Sequence, residues 1–328
     1  MSVENEHVSR DSSSRYGAVT ITHPACPARK IMMTAPPAAT DDGMPGFGSA
    51  GASRPRAVAE AMAVLGLTMA TLWIVNSIHA WSRWERMVLG GPWLVQILAF
   101  MIVPLVVVTL RGAQPGSLGV TFRGLRRYME TALTALAVVG PISGMAFPLL
   151  GLLGWSPMSW LGGLVLAAAY AISVPFVGLL VRKIPSTTES TLPAAHVVIA
   201  ALVLVAAMAA SAATKESAPI VSAVLLALLV VGPGEELLFR GVIQTRLDQA
   251  FGRPWRVFGA DLGWGWVIAS CLFGLAHLLS PAAFGHGGWA LWTTVAGLLF
   301  GYLRAKSGSI VASTVVHGVL LAVSAFFT

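Results

Sequence analysis

Residues 222–241 have the sequence "SAVLLALLVVGPGEELLFRG", in which an uninterrupted apolar run leads into Glu235, Glu236 and Arg240. Such a run is typical of a helix that crosses a membrane, where about 20 residues span the hydrocarbon core. A charged side chain inside such a helix is unfavourable by ~2.5 kcal/mol or more, and it usually marks a functional site. The stretch therefore predicts a membrane helix that carries functional residues.

The composition agrees with a membrane protein. Of the 328 residues, 56% are hydrophobic and 11% are charged, and the mean hydropathy is +0.76. Soluble domains contain roughly a quarter charged residues. The net charge of +7 fits basic loops that fix membrane topology, so we expect a lipid bilayer as surroundings and no nucleic-acid partner.

Apolar stretches repeat along the chain and predict an all-α, polytopic helical membrane bundle with about eight to nine transmembrane helices. We expect three regions: a disordered cytoplasmic tail (1–55), N-terminal transmembrane helices (56–217) and a C-terminal helical core (218–328). The tail is polar and rich in Pro and Gly, so it cannot bury a core. The predicted spans are 57–78, 92–110, 132–153, 160–181, 194–213, 218–240, 262–281, 288–303 and 309–327.

The basic residues between the spans predict the orientation. With the tail in the cytoplasm, fourteen Lys and Arg residues fall on the inner side and three on the outer side. Inner segments are enriched in Lys and Arg, so we expect a cytoplasmic N-terminus. The Ala-, Gly- and Arg-rich composition suggests a bacterial plasma membrane. The inner set is Arg54, Arg56, Arg111, Arg123, Arg126, Arg127, Arg182, Lys183, Arg240, Arg246, Arg253, Arg256, Arg304 and Lys306, and the outer set is Arg83, Arg86 and Lys215.

Two histidines, His277 and His317, accompany the acidic residues in the last third of the chain. Glu236 and Arg240 are four residues apart and can form an ion pair on one helix face, which leaves Glu235 without that partner. Such a set of ionisable residues in apolar segments predicts a shared polar site.

The spacing predicts that Glu235 and His277 face each other. Glu235 lies 16 residues before Phe251, and His277 lies 16 residues after Asp261. If the segment "FGRPWRVFGAD" joins two antiparallel helices, both side chains lie about 24 Å from that turn. This arrangement requires the first helix to continue past Arg240 to about Ala250.

These residues can hydrolyse an amide without a Ser or Cys nucleophile. A Glu in an apolar site can act as a general base, a His can hold water beside it, and a second His can stabilise an oxyanion. Two His and one carboxylate could also bind zinc, but the HExxH motif is absent. We therefore expect no cofactor.

The two cysteines, Cys26 and Cys271, are far apart and form no CxxC pattern, so neither a disulfide nor a cysteine metal site is expected. We expect Cys271 to be a small buried hydrophobe. Gly297 and Gly301 form a small-xxx-small pattern that suits close helix packing.

Three motifs resemble the CAAX protease and bacteriocin-processing (CPBP) family of intramembrane glutamic endopeptidases. They are "EELLFR" (235–240), "FGLAH" (273–277) and "HGVLL" (317–321). The resemblance covers about residues 218–328. It implies that Glu235 activates water with help from His277 and that His317 stabilises the oxyanion. It further implies that Glu236 and Arg240 shape the site and that Phe273 packs beside His277.

One position departs from the family pattern, because Leu321 stands where many members carry Asn. An apolar side chain cannot donate a hydrogen bond to an oxyanion. Three explanations are open: Ser313 or Ser324 substitutes, His317 acts alone, or activity is reduced.

The resemblance implies an endopeptidase related to type II CAAX prenyl endopeptidases, acting on a peptide or membrane-protein substrate that can be lipidated. The alternatives are a non-catalytic membrane scaffold or bacteriocin-immunity protein with the same fold, a proton-coupled transporter, and a metalloenzyme. A transporter would be expected to carry inverted repeats with interrupted helices, whereas the acidic site occurs only in the last third of the chain.

Overall fold

The computed structural model describes residues 53–112, 115–184 and 217–324. The predicted tail up to residue 52, with Cys26, and the predicted span 194–213 lie outside the described residues, as does Lys215.

The described residues form a bundle of helices joined by short connections, which confirms the all-α helical membrane fold. A short 3₁₀ turn, Pro115–Leu118, precedes α4, and an antiparallel hairpin of two short strands separates α6 from α7. The elements are α1 (Arg54–Ser77), α2 (His79–Leu89), α3 (Trp93–Leu110), α4 (Leu125–Leu152), α5 (Trp160–Val181), α6 (217–251), β1 (Trp255–Val257), β2 (Ala260–Leu262), α7 (Trp264–Leu279), α8 (Gly287–Ser307) and α9 (Ile310–Ser324).

The chain is an integral membrane protein. Among the described residues, α1, α3, α4, α5 and α6 are long and apolar enough to cross a membrane, whereas α7 and residues 310–323 of α9 are apolar but shorter. Large apolar side chains also face outward, as Ile74 (62% exposed) and Phe176 (56% exposed) do. Lipid tails are apolar themselves, so such side chains suit a lipid-facing surface.

Helix α6 is longer than its apolar run. It continues past the predicted end at residue 240 to Phe251. This length is what the predicted arrangement of Glu235 opposite His277 requires. Two π-helical segments, Ala227–Val231 and Leu237–Gln244, flank the Glu pair. Pro233 lacks an N–H and crowds the preceding turn, which accounts for the wider first segment. π-Helical turns are rare and often occur at functional sites.

Glycines bring α9 and α8 against their neighbours. A Cβ at Gly232 of α6 would lie 3.1 Å from Gly318 Cα of α9. A Cβ at Gly297 of α8 would lie 3.1 Å from Ser270 Cα of α7, and one at Gly301 would lie 2.6 Å from Trp266 Cδ1. The predicted close packing at Gly297 and Gly301 is confirmed, and these contacts place α6, α7, α8 and α9 around one centre.

The bundle has a basic end. Arg127 Nη2 of α4 donates to the Ser307 carbonyl of α8 at 2.7 Å, and Lys306 Nζ donates to the Arg182 carbonyl of α5 at 3.5 Å. The Arg54 guanidinium of α1 lies 5.6 Å from the centre of the Phe251 ring. One end of the bundle therefore holds the N-terminal ends of α1, α4, α7 and α9 and the C-terminal ends of α3, α5, α6 and α8.

The opposite end is called the cavity end below. There Trp93 Nε1 of α3 donates to Ser222 Oγ of α6 at 3.0 Å, and Trp73 Nε1 of α1 donates to the Leu279 carbonyl of α7 at 2.8 Å. Buried Glu85 of α2 accepts from the backbone N–H groups of Leu94 and Val95. This carboxylate caps the start of α3 and anchors α2 to the cavity end.

Two predictions from the sequence are wrong in detail. Cys271 is exposed on α7, because it lies on the outward face of that apolar helix. Arg240 does not lie in a basic loop, since its side chain is only 1% exposed in the interior of the bundle. It was assigned to a loop because the apolar run ends just before it, although the helix continues.

Candidate active site

Arg240 and His317 share the carboxylate of Glu236. Arg240 Nη1 lies 3.3 Å from Glu236 Oε1, and both side chains are almost fully buried. His317 Nδ1 lies 3.0 Å from the same oxygen. A carboxylate oxygen only accepts hydrogen bonds, so Nδ1 donates. The pairing fixes the imidazole of α9 against α6 and compensates the buried charges.

Aromatic rings enclose Arg240. Its guanidinium carbon lies 4.5 Å from the centre of the Phe273 ring and 5.3 Å from that of Phe300. Its Nη2 donates to the Gly297 carbonyl at 3.1 Å. Cations are attracted to aromatic faces, particularly when desolvated. Arg240 is therefore a structural cation that links α6 to α7 and α8.

Glu235 faces both histidines at distances that leave room for a bridging water. Its Oε2 lies 4.0 Å from His277 Nε2 and 3.8 Å from His317 Nε2, and it makes no hydrogen bond within the described residues. These separations exceed direct hydrogen-bond length and suit a water held between the groups. Glu235 is therefore placed to act on water, whereas Glu236 is occupied by Arg240 and His317.

The hydrogen bonds of His277 determine which ring nitrogen faces Glu235. Its Nδ1 lies 2.9 Å from the Phe273 carbonyl oxygen, four residues earlier on α7. A carbonyl oxygen can only accept, so Nδ1 carries the proton. In the neutral ring Nε2 is then an acceptor. It points toward Glu235 and can receive a hydrogen bond from a water molecule between them.

Phe273 and Phe300 hold both imidazoles. Phe273 packs edge-on against His277 with ring centres 4.6 Å apart. Phe300 stacks on His317 with ring centres 4.7 Å apart and planes 16° from parallel. The contact of Phe273 with His277 agrees with the role that the family resemblance implied. Phe300 was missed, although its position three residues after Gly297 puts it on the face of α8 that Arg240 contacts.

A cavity of about 500 Å³ reaches the site from the cavity end. Glu235, His277 and His317 line it, together with apolar side chains of α1 and α3. Its polar lining also includes Asn76 near the end of α1 and the exposed Arg86 of α2. Cavities of this size hold peptide-sized or drug-sized ligands. The candidate site is therefore accessible while its carboxylates remain buried.

Leu321 faces the site. It lines the large cavity and also an adjoining smaller one of about 50 Å³ that His277 and His317 share. Ser313 is fully buried, and its hydroxyl donates to the Ile310 carbonyl at 3.0 Å. The same hydroxyl also lies against the Glu236 carboxylate. The substitution of Ser313 for the missing donor therefore remains a prediction. The side chain of Ser324 lies outside the described residues.

The residues described, 53–112, 115–184 and 217–324, contain no group of three or more His, Cys, Asp or Glu side chains arranged to hold a metal ion. The expectation that the protein needs no cofactor remains a prediction.

Comparison with protein families shows a match to the C-terminal part of the chain. Residues 217–323 match the family described as type II CAAX prenyl endopeptidase Rce1-like. The match confirms the resemblance to the CPBP family for this segment, which contains all six residues predicted from the motifs. No curated protein and no solved structure matched the chain.

Proposed function

We propose that this membrane protein is an intramembrane glutamic endopeptidase, in which Glu235 and His277 activate a water molecule that hydrolyses a peptide bond. One observation supports this most: a buried carboxylate oxygen without a hydrogen-bond partner in the described residues lies about 4 Å from two imidazole nitrogens at the base of a cavity. The matched family, one of endopeptidases, supports the same reaction class.

The reaction uses water and the side chains alone. Glu235 takes a proton from water as the water oxygen attacks the peptide carbonyl carbon, and His277 Nε2 orients that water. When its ring is protonated, His317 donates from Nε2 to the oxygen of the tetrahedral intermediate. Glu235 then gives its proton to the amide nitrogen, the C–N bond breaks, and a carboxylic acid and an amine are formed.

The two carboxylates have different partners and therefore different roles in the proposed mechanism. Glu236 is held by Arg240 and His317, so it positions His317. Glu235 lines the cavity, where a substrate and a water molecule can reach it. The proposed substrate is a peptide or a segment of a membrane protein, as the matched family of endopeptidases suggests. The apolar side chains that dominate the cavity lining suit an apolar segment. A lipid group on the substrate would suit the same apolar walls.

The proposal is tested with the purified protein in detergent and a fluorogenic prenylated CAAX peptide. The variants Glu235→Gln, His277→Ala and His317→Ala should each lower the cleavage rate at least about 100-fold, since positioned proton transfer contributes that much or more. Their melting temperatures should show that they fold. Full activity of Glu235→Gln would rule out the mechanism.

Three controls accompany this test. Glu130→Gln removes a carboxylate from an exposed pair with Arg126 on α4 and should leave the rate unchanged. Activity that persists in chelator with no bound metal argues against the zinc enzyme. The contribution of the lipid to cleavage is tested with the same peptide lacking its prenyl group.

Leu321 supports a second candidate, a non-catalytic scaffold or immunity protein with the same fold. The site then binds a peptide segment without cleaving it, because one oxyanion donor is missing. Cells in which Glu235→Gln rescues a deletion as well as the native chain does would favour this candidate over the peptidase.

A further inference from the structure

We propose that the catalytic cavity opens on the outer side of the membrane, so that the segment cleaved lies outside the cytoplasm. The cleavage itself rests on the function proposed above, whereas the sidedness rests on separate observations. These observations are the position of the cavity mouth, the charge of the two ends and the aromatic residues around the mouth.

The mouth belongs to one end of the bundle. The cavity is lined by Asn76 at the end of α1, Arg86 and Pro92 on either side of the α2–α3 connection, and residues 280–283 just after α7. All of these lie at the cavity end. Glu235 and His317 lie near the middle of α6 and α9, so the cavity extends from this end into the bundle to reach them. His277 lies two residues before the end of α7 and thirteen after its start. At 1.5 Å per residue these separations are about 3 Å and about 20 Å.

The basic residues are concentrated at the opposite end. Thirteen described Lys and Arg residues lie there against four acids, Glu60, Glu130, Asp248 and Asp261, whereas the cavity end has Arg83 and Arg86 against Glu85. Helical membrane proteins keep Lys and Arg on the cytoplasmic side. The thirteen are Arg54, Arg56, Arg111, Arg123, Arg126, Arg127, Arg182, Lys183, Arg246, Arg253, Arg256, Arg304 and Lys306.

The cavity end also carries exposed tryptophans. Trp73, Trp81 and Trp84 are 40–44% exposed, and α2 turns Met87 and Val88 outward while it buries Ser82 and Glu85. Tryptophan is enriched where a membrane meets water, and a helix with one apolar face lies along that interface. Helix α2 therefore lies at the outer interface beside the mouth of the cavity.

The consequence concerns the substrate class. A cavity that opens outward receives exported peptides or the outer segments of membrane-anchored proteins, with the scissile bond near the outer interface. The C-terminus of a lipidated cytoplasmic protein would not reach it in the cell. A prenylated peptide can still be cleaved in detergent, because detergent removes the separation between the two sides.

The test uses single thiols in a chain that carries Cys26→Ser and Cys271→Ala. Ala282→Cys places a thiol at an exposed lining residue of the mouth, and Lys183→Cys places one at an exposed residue of the basic end. A membrane-impermeant maleimide is added to spheroplasts and to inside-out vesicles. Labelling of the same sample after denaturation gives its total thiol content, against which the labelling before denaturation is compared.

We expect the thiol at position 282 to react in spheroplasts and the thiol at position 183 to react in inside-out vesicles, each at least 10-fold more than in the opposite preparation. If the thiol at position 282 does not react in spheroplasts, or reacts equally in both preparations, the proposed sidedness is wrong. The labelling needs no catalysis, so it should be the same in the Glu235→Gln background. A loss of cleavage and a reversal of sidedness are therefore separate results.

Discussion

Each charged residue of the site has a distinct environment. Glu236 lies between Arg240 and His317 and is completely buried. Glu235, its neighbour in sequence, faces the cavity and makes no hydrogen bond through Oε2 within the described residues. Adjacent residues on a helix point about 100° apart. One turn of helix therefore holds a carboxylate paired inside the bundle and a carboxylate that faces the cavity, and the proposed mechanism assigns the reaction to the second.

In the proposed mechanism, position 321 sets the number of hydrogen-bond donors that face the oxyanion. Leu321 is four residues after His317 on α9 and lines both cavities at the site. We expect Leu321→Asn to raise kcat by about 10-fold or more, because a single oxyanion donor can contribute about 100-fold. The measurement is the rate of peptide cleavage in detergent under substrate saturation.

The matched control is Leu321→Ala, which enlarges the cavity without adding a donor. If Ala raises kcat as much as Asn does, then space at position 321 limits the reaction and a missing hydrogen bond does not. If neither substitution changes kcat, His317 alone suffices for the oxyanion.

At the scale of elements, the site depends on how closely helices approach. Helix α8 packs against α7 through Gly297, whose carbonyl also accepts from Arg240. A side chain at this position would separate the helices and displace the guanidinium. The π-helical turn Leu237–Gln244 then adjusts the register of α6 against both.

Gly297→Ala should destabilise the protein by about 1–3 kcal/mol, as expected for a methyl group added to a packed interface. The added Cβ would lie 3.1 Å from Ser270 Cα and 3.4 Å from Arg240 Nη2. The loss of stability is measured as a lower melting temperature in detergent.

Gly144→Ala is the control for this change. Gly144 lies inside α4, and an added Cβ would meet no atom within 4 Å. Replacing glycine with alanine in a helix interior favours the helix by about 0.5–1 kcal/mol, so the melting temperature should stay the same or rise. An equal loss of stability in both variants would contradict the role of Gly297 in helix packing.

At the scale of the whole molecule, the N-terminal helices form part of the cavity wall, although the ionisable residues of the candidate site belong to the C-terminal helices. The matched segment 217–323 contains the ionisable residues, but Met69 and Leu72 of α1 and Phe100 of α3 form part of the cavity wall. At the basic end Glu60 of α1 joins these helices to α6 through ion pairs with Arg246 and Arg111. Glu60 also pairs with Arg56 on its own helix.

Glu60→Gln should lower the stability of the protein by about 1–3 kcal/mol, because it removes the charge that pairs with the buried guanidinium of Arg246. Arg56 and Arg111 are 70% and 42% exposed, so their pairs with Glu60 contribute little. The side chains of Glu60 and Arg246 are 11% and 6% exposed. The melting temperature in detergent should fall clearly, while kcat at low temperature stays near that of the native chain, since Glu60 is at the end away from the cavity.

Glu130→Gln serves again as control, because both partners of the Arg126–Glu130 pair are 41% exposed. Exposed pairs contribute at most about 1 kcal/mol. A Glu60→Gln protein that melts at the native temperature would mean that these ion pairs do not hold α1 and α3 to α6.

The sequence by itself determined the membrane class, the order of the long apolar helices among the described residues and the set of ionisable residues proposed for the candidate site. The apolar runs matched described helices wherever the structure covers them, since burial in lipid requires apolar residues at every turn. The equal spacing of Glu235 and His277 from the intervening turn also predicted that the two face each other, because helix rise per residue is constant.

Only the tertiary structure decided which partner each charge has, where Arg240 lies and where the cavity opens. The hydropathy pattern predicted that α6 ends near Arg240, because charged residues usually lie in water. In the structure, contacts with Phe273, Phe300 and the Gly297 carbonyl keep this cation inside the bundle. These contacts join residues more than 30 positions apart in sequence. Local pattern carries no information about such contacts, since they depend on how closely whole helices can approach one another.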